Sequence, residues 1–86
     1  MIIKYSNNFS RKLEKLIKKD SLIKKKLDGK LKLFVTNPRH PSLRLHKIET
    51  KEDAWSISID TKLRVLFIYR NYGILMVDIG SHDEVY

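Results

Sequence analysis
The spacing of apolar residues changes along the 86-residue chain, and each change predicts an element. Ile2-Ile3-Lys4-Tyr5 reads as a short first strand. From Phe9 the period becomes helical: Phe9, Leu13, Leu16 and Ile17 fall at i, i+4, i+7 and i+8. Lys12, Lys15, Lys18 and Lys19 take other positions. Asp20 or Ser21 can cap a second helix. Its apolar face is Ile23, Leu27, Leu31, Phe34 and Val35, with Lys24, Lys25, Lys26, Lys30 and Lys32 mostly outside it. Gly29 within this helix costs about 1 kcal/mol relative to alanine. Asn37-Pro38 ends it, because a residue before proline is pushed out of the helical region.

Beyond Pro38 the period falls to two. Arg39-His40-Pro41-Ser42 is a loop, after which Leu43 and Leu45 alternate with Arg44 and His46, predicting a short strand that reaches Lys47. Glu49-Thr50-Lys51-Glu52-Asp53 is a polar loop. Trp55, Ile57 and Ile59 alternate with Ser56, Ser58 and Asp60, the pattern of a half-buried strand. Leu63 to Tyr69 is a more buried strand, Asn71-Tyr72-Gly73 supplies a turn, and Ile74 to Ile79 pairs back as a hairpin partner. Strand, helix, helix and three or four hairpin-linked strands predict a single α+β domain over residues 1–86. Its small antiparallel sheet carries both helices on one face.

Composition narrows the chemistry. There is no cysteine, which removes disulfides and thiolate sites. The three histidines lack a metal-ligand spacing such as His-x-x-x-His, so no metal and no cofactor is expected. No apolar run approaches the ~18 residues that span a bilayer. The Met1-Ile2-Ile3-Lys4-Tyr5 start lacks the design of a signal peptide. A cytoplasmic protein without membrane contact is the expectation.

Charge adds a direction. The formal net charge is +8. Residues 1–47 carry 14 basic against 3 acidic side chains, a net +11, whereas residues 48–86 carry 4 against 7, a net −3. This asymmetry implies a polyanionic partner or an acidic protein. A solvated lysine-rich helix face gives the same signature, so the lysines alone do not decide. The terminal Gly80-Ser81-His82-Asp83-Glu84-Val85-Tyr86 is more telling. Imidazole and phenol can both move protons or hold a phosphate oxygen. At the end of a buried strand in a basic protein, they suggest RNA chemistry.

Several segments in order resemble one family. They are the lysine-rich helical pair ending in Asn37-Pro38, His40-Pro41-Ser42-Leu43 with Leu45-His46-Lys47, and Trp55-Ser56-Ile57-Ser58-Ile59. Leu63-Arg64-Val65-Leu66-Phe67 and Asp78-Ile79-Gly80-Ser81-His82-Asp83-Glu84-Val85-Tyr86 complete the series. Together they resemble the RelE/ParE superfamily of toxins from bacterial toxin–antitoxin systems, closest to RelE- and YafQ-like messenger-RNA endoribonucleases. The likeness covers nearly the whole chain. It implies a toxin held inactive by a cognate antitoxin. Once freed, the toxin enters the ribosomal decoding site and cuts messenger RNA without a metal. The ribose 2′-OH attacks the adjacent phosphate, leaving a 2′,3′-cyclic phosphate and a 5′-OH end. Operator DNA is met only through the antitoxin complex.

That reaction needs a base for the 2′-OH, charge at the phosphate and a proton for the leaving oxygen. Arg64 is the candidate for the phosphate, since its planar fork suits bidentate contact and stays charged. The bland alternative is a strand-end arginine reaching solvent or pairing with Asp60 or Asp78. His82 is the favoured acid, because imidazole exchanges protons near neutral pH. Tyr86 falls where the family places an aromatic ring near substrate. Many members continue into a final helix, so a terminal carboxylate is expected beside the site here. His46 is preferred as base, with Lys47 neutralising phosphate, while His40 either replaces His46 or positions the loop. Arg39, His40, Arg44, Lys25 and Lys32 are expected RNA contacts, the helix lysines on ribosomal RNA. Trp55 is assigned to the core. Two other readings share the fold: a ParE-like gyrase inhibitor, and a non-catalytic module that binds antitoxin and acts at operator DNA.

Overall fold
The computed structural model describes residues 1–49, 51 and 53–85. Along them run β1 (Ile2–Tyr5), α1 (Asn7–Lys19), α2 (Leu22–Thr36), a 3₁₀ turn (Pro41–Leu43) and β2 (His46–Lys47). Then come β3 (Ala54–Ser58), β4 (Leu63–Arg70), β5 (Gly73–Ser81) and α3 (His82–Val85). Ser6 starts α1, its hydroxyl accepting the Phe9 amide at 3.1 Å. At the start of α2 the acceptor is Asp20 rather than Ser21: its carboxylate takes the Leu22 amide at 3.0 Å.

The two long helices bury most of the residues their spacing selects, but Val35, at the end of the α2 face, is exposed. Phe9, Leu13, Ile23, Leu27, Leu31 and Phe34 pack on Ile57, Ile59, Val65, Phe67, Ile74, Met76 and Ile79, with Trp55 packed at the margin of this core. Gly29 lies inside α2, and a Cβ there would meet no atom within 4 Å. Gly29→Ala should therefore stabilise the domain by about 0.5–1 kcal/mol, seen as a higher urea midpoint with unchanged slope.

The sheet order is β1-β5-β4-β3-β2. The pairs from β2 to β5 are antiparallel, as expected, but β1 runs parallel to β5, from Ile2 beside Gly73 to Tyr5 beside Met76. The sheet is thus mixed, the helical pair supplying the long crossover that a parallel neighbour requires. Gly73 makes that neighbour possible. Its φ is +147°, and a Cβ would fall 2.2 Å from the Ile2 carbonyl oxygen.

Two local expectations change. The strand drawn from Leu43 to Lys47 shrinks to His46–Lys47, because Pro41 opens a 3₁₀ turn that buries Leu43. Arg44 closes this turn in the left-handed region, φ 48° and ψ 43°. The serines of β3 are not on a wet face: Ser56 and Ser58 are both buried. Their face is covered by a second small cluster of Ile48, Ala54, Leu66 and Val85.

Asp60 shapes the turn from β3 to β4 by accepting the Lys62 and Leu63 amides at 2.8 and 2.7 Å. Burial opposes its charge, but those amides and the Lys26 ammonium outweigh it and hold the carboxyl below its ordinary pKa. Its contribution to stability is full above the unfolded aspartate value of ~3.9 and is lost as pH falls through the lower folded value. Asp60→Asn should cost about 1 kcal/mol at pH 7 and leave a shallower acid-induced loss, read from urea midpoints at pH 7 and in strong acid.

Candidate functional site
The face of the sheet opposite α1 and α2 is assembled from two cross-strand rows. His46, Ser56 and Leu66 align across β2, β3 and β4, and Ser58, Arg64 and Gly80 align across β3, β4 and β5. Side chains directly opposite one another share a face. Arg64 and His46 therefore stand on one face, about 12 Å apart at their Cα atoms by strand spacing and rise. Buried serines lie between them.

Arg64 is half-buried on β4 and makes no side-chain hydrogen bond or ion pair among the described residues. Both carboxylates that the sequence offers it are engaged elsewhere. Asp78 takes the Lys12 ammonium at 2.6 Å, and Asp60 takes Lys26 at 3.4 Å. An unpaired, half-buried cation is unfavourable for folding alone.

His46 donates from Nδ1 to the Arg44 carbonyl at 2.8 Å. A carbonyl only accepts, so the neutral ring carries its lone pair on Nε2, the form a general base requires. Lys47 follows a different path. It pairs with Trp55, which pairs with Phe67 of the helix-side core, so the pleat turns Lys47 away from Arg64.

His40 holds the loop. Its Nδ1 accepts the Ser42 amide at 3.1 Å and meets the Ser42 hydroxyl at 2.9 Å, capping the 3₁₀ turn. A neutral His40 then has its proton on Nε2 and is a donor, not a base. Arg39, His40 and Arg44 line one cleft at this turn. Lys25 and Lys32 are exposed on α2, in the helical layer behind the sheet.

Helix α3 brings His82 to the Arg64 end of the sheet. Ser81 and Glu84 cap one another: the Ser81 amide donates to the Glu84 carboxylate at 2.9 Å, and the Glu84 amide to the Ser81 hydroxyl at 3.3 Å. These Ser81 contacts, helped by Lys12 and Lys19, hold the Glu84 carboxyl below its ordinary pKa. The turn lies over Gly80, where a Cβ would sit 3.1 Å from Glu84 and 3.2 Å from Val85. The helical turn brings His82 Nδ1 to 3.6 Å from the Asp83 carboxylate. Tyr86 and the terminal carboxylate lie outside the described residues.

Sequence reasoning misses the small floor of this face, Ser56, Ser58 and Gly80, and the lysine cleft beside it. Lys12, Lys15 and Lys19 of α1 line an opening of about 240 Å³ with Ile79, Gly80 and Glu84. An open apolar groove of about 590 Å³ lies on the helix side, between Ile3 of β1 and Leu31 and Val35 of α2. Among the described residues no cluster of His, Asp or Glu could hold a metal ion, and no helix is long and apolar enough to cross a membrane.

No family model and no curated protein sequence matches this chain. Solved structures do. YafQ from E. coli superposes with a TM-score of 0.80 at 17% identity, covering 99% of this chain and 97% of that one. YafQ in the E. coli DinJ–YafQ toxin–antitoxin complex gives 0.78 at 16% identity over 99% and 96%. A YoeB/ParE toxin from Agrobacterium tumefaciens gives 0.79 at 13% identity over 95% and 99%. The element order and the superposed backbones agree: this chain has the α+β fold of the RelE- and YafQ-like toxins.

Proposed function
We infer that the protein is the toxin of a toxin–antitoxin pair and a metal-independent endoribonuclease that cuts messenger RNA on the ribosome. The observation that carries this reading is Arg64, a half-buried guanidinium without a partner among the described residues, on the same face as His46 and at the same end as His82. The fold shared with YafQ supports it. His46 Nε2 takes the proton of a ribose 2′-OH as that oxygen attacks the adjacent phosphorus. Arg64 holds the non-bridging oxygens as charge builds on them. The P–O5′ bond breaks, His82 gives its proton to O5′, and a cyclic phosphate remains. Tyr86 would stack on a base or orient the 2′-OH.

The partner is an antitoxin protein, as in the DinJ–YafQ complex. A chain of net charge +8 suits an acidic segment, and the groove between β1 and α2 gives its apolar side chains a surface. The helix lysines face ribosomal RNA, so activity should fall steeply with salt. Paired assays test the function. Purified protein should stop a cell-free translation reaction by cutting its message and leave gyrase supercoiling intact. Gyrase inhibition with intact message would replace this reading with a ParE-like one, and inertness in both assays would leave a binding module.

A further inference from the structure
We propose that the cleft at the 3₁₀ turn is a second phosphate subsite, holding the phosphate next to the one being cut. This rests on the RNA reading above and names how the strand is held. The cleft has a volume of about 230 Å³ and is lined by Pro38, Arg39, His40, Pro41, Arg44 and Leu45.

Every polar side chain on this lining is a donor. Arg39 and Arg44 make no side-chain hydrogen bond or ion pair among the described residues. Among the described lining side chains the one acceptor atom is His40 Nδ1, and Ser42 occupies it with its amide and hydroxyl. That leaves His40 Nε2–H as a third donor. Among the described residues no carboxylate lines the cleft. A phosphate, which presents only acceptors and negative charge, satisfies such a lining, and guanidinium forks match its geometry. A second opening that Arg44 also lines differs: Asp60 and Thr61 share it with Lys30, Ser42 and Ser58.

Arg44 ties this cleft to the reaction face. It sits in the left-handed region, φ 48°, which is unfavourable for a residue with a Cβ. In that conformation its side chain lines the cleft while its carbonyl accepts from His46 Nδ1 at 2.8 Å. One residue thus contacts both the subsite and the candidate base. Arg44 and His46 are two residues apart and hydrogen-bonded, so a strand that reaches His46 passes beside Arg44.

The test uses 2′-O-methylated oligonucleotides, which lack the attacking hydroxyl and cannot be cut. A dinucleoside monophosphate carries one phosphate, and a tetranucleotide carries more than one. The variant is Arg39→Ala with Arg44→Asn, since asparagine tolerates the left-handed backbone and preserves the turn. Retention of the amide spectrum of the unbound protein confirms that. The variant should bind the tetranucleotide about tenfold more weakly than wild type. Its logarithmic salt slope should fall by about 1.4, two cations at ~0.7 each. Dinucleotide binding should stay within about twofold, having no second phosphate to lose. Unchanged tetranucleotide binding, equal loss for both oligonucleotides, or no binding by wild type overturns the subsite. Because the strands are inert, failure of the protein to cleave RNA is a separate result that strikes the proposed function instead.

Discussion

Arg64→Ala should lower the rate of message cleavage by about 10²–10³-fold, the loss that follows removal of one preorganised group at a developing negative charge. It should do so without weakening the fold. Arg64 makes no side-chain hydrogen bond or ion pair among the described residues, and Asp60 and Asp78 are held by Lys26 and Lys12. Removing a half-buried unpaired cation leaves stability unchanged or slightly raised. Arg64→Lys keeps the charge but loses the bidentate fork, so its rate should fall between the two. Cleavage rates measured beside thermal unfolding check the pair. An Arg64→Ala protein that loses activity together with several degrees of Tm would make Arg64 a structural residue.

Phe67→Ala should have the largest effect on stability. Phe67 is fully buried at the centre of the sheet, with ring centroids 5.2 Å from Phe34 of α2 and 5.3 Å from Tyr69. Truncating a buried phenylalanine costs about 3–5 kcal/mol. A domain of this length has on the order of 4–13 kcal/mol in total. The variant should lose on the order of 20 °C in Tm, and at the low end of that range it should be partly unfolded at 37 °C. Tyr69→Ala, at a side chain that is 44% exposed, should cost far less. Similar losses in the two would contradict the core described above.

The helices were legible because each carries its own pattern. Phe9, Leu13, Leu16 and Ile17 trace one face, and that face is the one packed on the sheet. The β4–β5 hairpin was equally local, with Asn71-Tyr72-Gly73 marking its turn. The parallel seat of β1 beside β5 was not, since it joins residues about seventy positions apart and no short-range signal encodes it. Leu43 and Leu45 alternate with polar residues, but Pro41 and the His40 cap made a turn of that stretch. Helix α3 had a signal that period-counting passes over: Ser81-His82-Asp83-Glu84 is a Ser-x-x-Glu capping box. Ser56 and Ser58 look like solvent positions, and only the second cluster on that face explains their burial.

For the candidate site, sequence supplied candidate residues and not their arrangement. Arg64 was visible as a charge among apolar neighbours, but only the ion pairs of Asp60 and Asp78 with lysines show that it lacks both expected partners. His46-Lys47 reads as one group, yet consecutive strand residues point to opposite faces. His40 and His46 are interchangeable in sequence. Their hydrogen bonds separate them, one ring accepting at Nδ1 from Ser42 and the other donating from Nδ1 to Arg44.

The most direct test of RNA cleavage on this face is the chemistry of the cut ends. Wild-type protein and Arg64→Ala would each be incubated with ribosomes translating a defined message, and the fragments mapped. The wild type should leave 2′,3′-cyclic phosphate and 5′-OH ends at discrete positions, and Arg64→Ala at equal concentration should leave almost none. An uncut message, 5′-phosphate ends, or equal cutting by the Arg64→Ala protein would contradict the site proposed here.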